Sequence, residues 1–227
     1  MPEWIVKGKV MTDYLEACEV VSLYNFKLDP RLTAIWEHCS KQIAVQYLVQ
    51  ASRDNPWLFS REYSNDKLGN PTMLDLSDFK GSASTLQYIG VLSNLIREFG
   101  PLTGMNILEV GGGYGGQALT IMDIYNPGSY DMVDLPPVLN LQRRYLNNTN
   151  ITNNARYFSI LPMKKYDLVI SNYAVSEISD NAKYIEQFKL CKHGYLTCNT
   201  DLVSLPFPHK KIPDVKGERD TNYILIW

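Results

Sequence analysis

Residues 105–116, Met-Asn-Ile-Leu-Glu-Val-Gly-Gly-Gly-Tyr-Gly-Gly, hold the densest chemistry in this chain. An apolar stretch runs into a five-glycine turn, and a carboxylate, Glu109, stands two residues before the first glycine. Without a Cβ, such a turn lets backbone press against a nucleotide-like ligand. Gly111, Gly113 and Gly116 satisfy G-x-G-x-x-G, the dinucleotide fingerprint. Glu109 changes that reading. A carboxylate aimed into the cavity repels a pyrophosphate and attracts a ligand that carries positive charge. Asp134 lies 23 residues after Gly111, at the predicted end of the next strand, where an acidic side chain accepts hydrogen bonds from ribose hydroxyls. Tyr114 stands inside the turn, where its ring would lie over the ligand's aliphatic arm. Gln117 opens a helix whose backbone N–H groups favour a carboxylate.

These residues need a frame, and the chain alternates accordingly. Strands are expected at Asn106–Val110, Tyr130–Val133, Ala155–Ser159, Asp167–Ser171, Tyr195–Asn199 and Asn222–Trp227. Helices separate them: one from about Gly116 to Tyr125, one opened by Pro136-Pro137, and one from about Ser179 to Cys191 that stops at Lys192-His193-Gly194. Alternation of this kind predicts a parallel sheet with right-handed crossovers, whose ligands bind beyond the carboxyl ends of the strands. Glu109, Asp134, Ser159, Asn172, Asn199 and Thr200 all fall at such ends.

Ahead of this unit, Asp29-Pro30 starts a helix expected to reach about Ser52, with Leu32, Ile35, Trp36, Cys39, Ile43 and Tyr47 on one stripe and His38 beside it. An earlier helix spans about Met11 to Leu23. Residues 54–81 are broken by Asn55-Pro56, Gly69-Asn70-Pro71 and Gly81, with Trp57, Phe59, Tyr63 and Phe79 interleaved. A long aromatic segment of this kind reads as a lid or wall over a site, as a simple brace against the core, or as a surface for a homo-oligomer. A further helix begins near Ser82 or Ser84 and ends at Gly100-Pro101. The expected division is a helical extension over 1–81 with its lid-like loop, and an α/β domain over 82–227.

Bulk properties exclude several classes. The chain has 227 residues and a net charge of −2, with basic residues scattered, which argues against nucleic acid as a partner. Four cysteines without C-x-x-C spacing and three histidines argue against a metal site or a disulfide framework. No apolar run reaches bilayer-spanning length, and the opening Met-Pro-Glu-Trp lacks a secretory pattern, so a cytoplasmic protein is expected.

Ile-Leu-Glu-Val-Gly-Gly-Gly-Tyr-Gly-Gly-Gln-Ala, then Tyr-Asp-Met-Val-Asp-Leu-Pro-Pro-Val-Leu-Asn-Leu-Gln, then Tyr-Asp-Leu-Val-Ile-Ser-Asn-Tyr-Ala-Val-Ser-Glu-Ile resemble class I S-adenosylmethionine-dependent methyltransferases. More narrowly, they resemble the sugar O-methyltransferases of bacteria and viruses. The resemblance covers about residues 82–227. It implies a Rossmann-like α/β fold with a mainly parallel seven-stranded sheet, the last strand antiparallel, and S-adenosyl-L-methionine as cofactor. It places Glu109, Gly111 and Gly113 on the methionine part and Asp134 on the ribose. Ser159 or Ile160 would edge the adenine, and Asn172 would lie near the sulfonium; Tyr114, Gly115 and Leu135 complete the expected cofactor set. The family often has an acidic residue after strand three, where this chain has Ser159-Ile160-Leu161. A sixth strand has no clear pattern between Asp201 and Gly217.

Methyl transfer to a sugar hydroxyl benefits from a positioned base. Glu177 and His209 are the candidates, with Tyr173, Trp57 and Tyr63 as substrate contacts. Ser82, Ser84 and Thr85 either reach the cofactor or cap their helix. The expected partner is a small molecule, a sugar or nucleotide sugar. Three alternatives stand beside this reading: a small-molecule N- or C-methyltransferase, a nicotinamide-dependent oxidoreductase, and a non-catalytic cofactor-binding module.

Overall fold

A computed structural model describes residues 8–36, 39–76, 79–149, 151, 154–215 and 222–227. His38 lies outside the described residues. Three helices open the chain: α1 (Lys9–Val20), α2 (Pro30–Trp36) and α3 (Lys41–Asp54). A small antiparallel hairpin, β1 (Met73–Leu76) and β2 (Phe79–Ser82), leads into α4 (Ala83–Phe99). Alternation then follows as β3 (Asn106–Val110), α5 (Gly116–Met122), β4 (Ser129–Val133), α6 (Pro136–Asn147), β5 (Ala155–Phe158), β6 (Tyr166–Asn172), α7 (Ala182–Phe188), β7 (Cys191–Cys198), β8 (Lys210–Pro213) and β9 (Tyr223–Ile226).

Seven strands make one sheet in the order β5-β4-β3-β6-β7-β9-β8. β3 to β7 run parallel, and β9 inserts antiparallel between β7 and β8. This is the expected mainly parallel seven-stranded sheet with its last strand reversed. Its central strands are covered on both faces, which is why Ile107, Leu108, Val110, Leu168, Val169 and Ile170 form near-continuous apolar runs. Order reverses at β3, whose neighbours are β4 and β6, and that point opens a crevice at the strands' carboxyl ends. The N-terminal helices share one core with the sheet: Tyr14, Ala17, Phe26 and Leu32 join Leu86, Ile89, Leu92, Ile107 and Ile170.

Two helix expectations need correction. The helix from Pro30 does not run unbroken to Ser52. It is replaced by α2 and α3, and Ser40 caps the second by accepting from the Ile43 N–H at 3.3 Å. The helix expected to reach Cys191 stops at Phe188, and Lys192-His193-Gly194 belong to β7 instead of a helix end. Gly194 serves a close approach there, since a Cβ would sit 2.1 Å from the Trp227 indole, and His193 stacks on Phe99 at 4.9 Å. The elusive sixth strand is β8. It lies at the sheet edge with three of its four residues exposed, so it carries no apolar rhythm. Its lysines are a common device for protecting an edge.

The described residues of 54–82 form single turns and the hairpin, and Leu58, Tyr63 and Phe79 pack into the core, so the segment braces the core and does not line the crevice. Ser64 donates twice to the Asp123 carboxylate, at 2.8 and 2.9 Å, and Arg61 donates to the Asp123 carbonyl at 2.6 Å. Asp66 accepts from the Ser82 N–H and the Thr85 hydroxyl. Ser82 in turn caps α4 by accepting from the Thr85 N–H at 3.2 Å, and neither it, Ser84 nor Thr85 lines the crevice. No helix among the described residues is long and apolar enough to cross a membrane.

The packing of α3 on α4 is tight at Gly90, where an added Cβ would meet the Tyr47 ring at 2.2 Å. Gly90→Ala is expected to cost about 1–3 kcal/mol by overpacking. A thermal melt unchanged from the parent would contradict this contact.

Candidate active site

A cavity of about 510 Å³ occupies the crevice at the carboxyl ends of β3, β4, β6 and β7. Its floor and walls come from Glu109, Gly111, Gly112, Gly113, Gln117, Asp134 and Leu135 on one side, and from Asn172, Tyr173, Ala174, Glu177, Asn199, Thr200 and Asn222 on the other. Its cover is the N-terminal helices: Met11 and Tyr14 of α1, Ala34, Ile35 and Trp36 of α2, and Ile43 of α3, joined by Gln87 and Tyr88 of α4.

Burial of the two acids follows from their place in the fold. Glu109 is the fourth residue of β3 and is 1% exposed, with its carboxylate 3.1 Å from where a Gly112 Cβ would stand. It accepts one hydrogen bond from the buried Tyr130 hydroxyl at 3.0 Å. Burial pushes its carboxyl up to about 7; the Tyr130 hydroxyl opposes this and the nearby Asp134 charge adds to it. Asp134 follows β4, half-buried. It accepts from the Leu135 N–H at 2.8 Å and from Gln142 Nε2 at 3.1 Å. Burial lifts it to about 7 as well, against these hydrogen bonds. Two carboxyls held near neutrality in one cavity suit a cationic ligand, which would draw both into their ionised forms.

The glycine turn is shaped by positive φ. Gly111, Gly113 and Gly115 have φ of 74°, 55° and 97°, a region that side chains rarely adopt. The Gly111 N–H donates to the Val133 carbonyl at 2.9 Å and ties the turn to β4. Gln142, fully buried on α6, bridges the Gly113 carbonyl at 2.8 Å and Asp134. Gln117 is 1% exposed and donates to the Tyr88 carbonyl at 3.3 Å, and its Oε1 has no partner among the described residues.

On the far side, Tyr173 follows β6 with φ of 70°, a strained value for a tyrosine. Its hydroxyl donates to the buried Asp214 at 2.6 Å, and Tyr47 donates to the same carboxylate at 3.2 Å. Glu177 accepts from Asn199 Nδ2 at 2.8 Å, while the Ser176 hydroxyl donates to the amide oxygen of Asn199 at 2.8 Å. Asn172 accepts from Thr197 at 3.1 Å. The carboxylate and amides are thus fixed in orientation before any ligand arrives.

The structure brings together Glu109, Gly111, Gly113, Asp134, Leu135, Asn172, Tyr173 and Glu177 of the expected residues. It separates the others from the cavity. Tyr114 points inward and is fully buried, packed edge-on against Phe26, Trp36, Tyr88 and Tyr145, with Lys27 Nζ 4.8 Å from its ring centre. A Gly115 Cβ would face Leu146 at 3.4 Å, away from the ligand side. Ser159 and Ile160 are exposed, Ile160 at 81%, and neither lines the cavity. His209 is exposed, with Nδ1 2.8 Å from the Phe207 carbonyl. Trp57 is exposed, and Tyr63 is buried with its hydroxyl on the Leu58 carbonyl at 2.8 Å. The aromatics that cover the cavity are Tyr14, Trp36 and Tyr88, the first two joined by a Trp36 Nε1 to Tyr14 hydroxyl bond of 2.9 Å; Gly113 would bring a Cβ to 3.4 Å from the Trp36 ring. Nothing local in the sequence marks Tyr14, since its neighbours spell an ordinary amphipathic helix.

No protein-family model and no curated protein matches this chain. Among solved structures, a SAM-dependent methyltransferase from Aquifex aeolicus is similar at 14% identity, covering 59% of this chain and 86% of its own, with a TM-score of 0.45. Magnesium protoporphyrin IX methyltransferase from Synechocystis with bound SAH matches at 15% identity over 52% of this chain and 56% of its own, with a TM-score of 0.43. A Haemonchus contortus phosphoethanolamine N-methyltransferase in complex with phosphoethanolamine and S-adenosylhomocysteine matches at 14% identity over 49% and 25%, with a TM-score of 0.39. The chain spans about half the length of several structures it matches, 51% in the case of the Bacillus subtilis YcgJ protein.

Proposed function

We propose that this chain is an S-adenosylmethionine-dependent O-methyltransferase that acts on a sugar hydroxyl. The observation that carries the reading is Glu109: a buried carboxyl beneath the glycine turn, held near neutrality by burial and paired in one cavity with Asp134. A dinucleotide's pyrophosphate would meet repulsion there, whereas a sulfonium and an ammonium would be attracted. Gln117 Oε1, buried and without a partner among the described residues, offers the same cavity one more acceptor.

S-adenosylmethionine would supply an electrophilic methyl group on a sulfur that leaves as a neutral thioether. The protein's task is then alignment and exclusion of water. Glu109 and the turn 111–113 would hold the amino-acid end, and Asp134 the ribose. Trp36 and Tyr14 close the cavity from above. Glu177, facing the acceptor side and steadied by Asn199, receives the hydroxyl proton as the new carbon–oxygen bond forms. Tyr173 keeps its proton, because burial and the Asp214 carboxylate hold its phenol well above the ordinary value. It serves as a hydrogen-bonding contact and not as a base.

Isothermal titration tests the reading. S-adenosylhomocysteine is expected to bind and NAD not to bind. Trp36→Ala should weaken binding about 10-fold through lost apolar cover, while Trp57→Ala should leave it unchanged. Binding of NAD in preference to S-adenosylhomocysteine would overturn the assignment.

A further inference from the structure

Resting on the methyltransferase reading, we infer that the acceptor is an uncharged, hydroxyl-rich molecule without phosphate, a free or glycosidic sugar in place of a sugar nucleotide, and that Glu177 enforces this choice. Among the described lining residues, the Asp, Glu, His, Lys and Arg side chains are three carboxyls, Glu109, Asp134 and Glu177. The acceptor side adds neutral groups: Asn172, Asn199, Thr200, Asn222 and the Tyr173 ring.

Recognition of a diphosphate draws on guanidinium or ammonium groups, or on a helix start with free N–H groups. Arg144 of α6 and Arg31 of α2 are committed elsewhere. Arg144 donates to the Val21 and Cys18 carbonyls, and Arg31 pairs with Asp29 at 2.7 Å. Lys27 is buried and donates to the Asn65 carbonyl. An incoming pyrophosphate would therefore enter a field set by carboxylates, and the low-dielectric walls strengthen that repulsion.

Neutral hydroxyls meet the opposite situation. Asn199 is oriented from both ends, its Nδ2 on Glu177 and its Oδ1 under the Ser176 hydroxyl. A fixed carboxylate beside a fixed amide accepts and donates to neighbouring hydroxyls without rearranging, which is how binding entropy is kept low. Glu177 thereby does two things at one place. It takes the proton, and it turns anions away.

Titrations with UDP, GDP and inorganic pyrophosphate, at low salt where screening is weak, test the inference. They are run on the parent with and without saturating S-adenosylhomocysteine. No saturable binding is expected at concentrations ~100-fold above those that saturate S-adenosylhomocysteine. Glu177→Lys, which reverses the charge at this point, is expected to improve the affinity for UDP or pyrophosphate at least ~10-fold. Submillimolar binding of a nucleoside diphosphate to the parent, in competition with nothing but the acceptor side, would overturn the inference while S-adenosylhomocysteine binding still upholds the cofactor reading. Failure of S-adenosylhomocysteine itself to bind would instead strike the cofactor reading. An unchanged diphosphate affinity in Glu177→Lys would also count against Glu177 as the charge filter.

Discussion

Glu109→Gln is expected to weaken S-adenosylmethionine binding about 30–100-fold at pH 8 and only several-fold at pH 6, the loss of one charge-assisted hydrogen bond costing about 2–3 kcal/mol. Glutamine keeps the shape and can still accept from Tyr130, so the change isolates charge. The pH dependence follows from burial. Both Glu109 and Asp134 have carboxyls raised to about 7 in the fold. At pH 6 the parent's Glu109 is largely protonated and resembles glutamine; at pH 8 it is ionised and the variants part. Binding a cation pulls both groups into the ionised form, so protons are released between pH 6 and 7, measurable by titration in buffers of different ionisation enthalpy. The ligand-free protein shows the opposite trend. A carboxyl held above its unfolded value of about 4 contributes stability that is full below that value and is lost as pH rises through 7. The free protein should therefore melt lower at pH 8 than at pH 6, with Glu109→Gln losing less across that range. A parent-to-variant ratio that stays constant from pH 6 to 8 would refute the electrostatic account.

The strands around β3 were legible because physics there is local. A buried parallel strand must be apolar throughout, a turn at positive φ favours glycine, and an acid at the end of β4 falls on the rim of the crevice. Ile107 to Val110, Gly111 and Asp134 satisfy these demands within single short segments. What the sequence concealed depends on distant packing. Tyr114 sits in the turn but is drawn inward by Phe26, Trp36, Tyr88 and Tyr145, which come from four other elements or connections. Trp57 and Phe59 look like a lid because they are aromatic, yet the segment is pinned to Asp123 at the end of α5 and to Thr85 at the start of α4. The cover comes instead from Tyr14 and Trp36, whose meeting across 22 residues of chain no local pattern announces. Gln142 was visible only as a polar residue on α6. Its link between the Gly113 carbonyl and Asp134 exists once α6 folds back beside the turn. Glycine misled at position 194 for a related reason: small size can end a helix or admit a neighbouring indole, and only the tertiary partner decides.

Gly111→Ala is expected to abolish S-adenosylhomocysteine binding and to lower the melting temperature by about 5–15 °C, the effect of roughly 2–5 kcal/mol in a chain of this size. Two separable costs combine. One is conformational, since alanine at φ of 74° adopts a left-handed backbone worth about 1–2 kcal/mol. The other is steric, since the new Cβ would lie 2.0 Å from the Ala174 Cβ in the turn after β6, and something there must shift. Gly104 provides the control. Its φ is 78° and nothing lies within 4 Å of an added Cβ, so Gly104→Ala should show the first cost alone. The double variant Gly111→Ala with Ala174→Gly should recover the steric part, returning the melt to about that of Gly104→Ala. Binding should recover less than stability, because residual strain at Gly111 still displaces the backbone that hydrogen-bonds to Val133 and carries the turn. Equal melts for the two single variants, with ligand binding intact in Gly111→Ala, would mean that the turn and the segment after β6 do not meet as closely as this geometry requires. The two halves of the cavity would then be free to move independently, and the alignment that the proposed methyl transfer needs would have to come from the ligand.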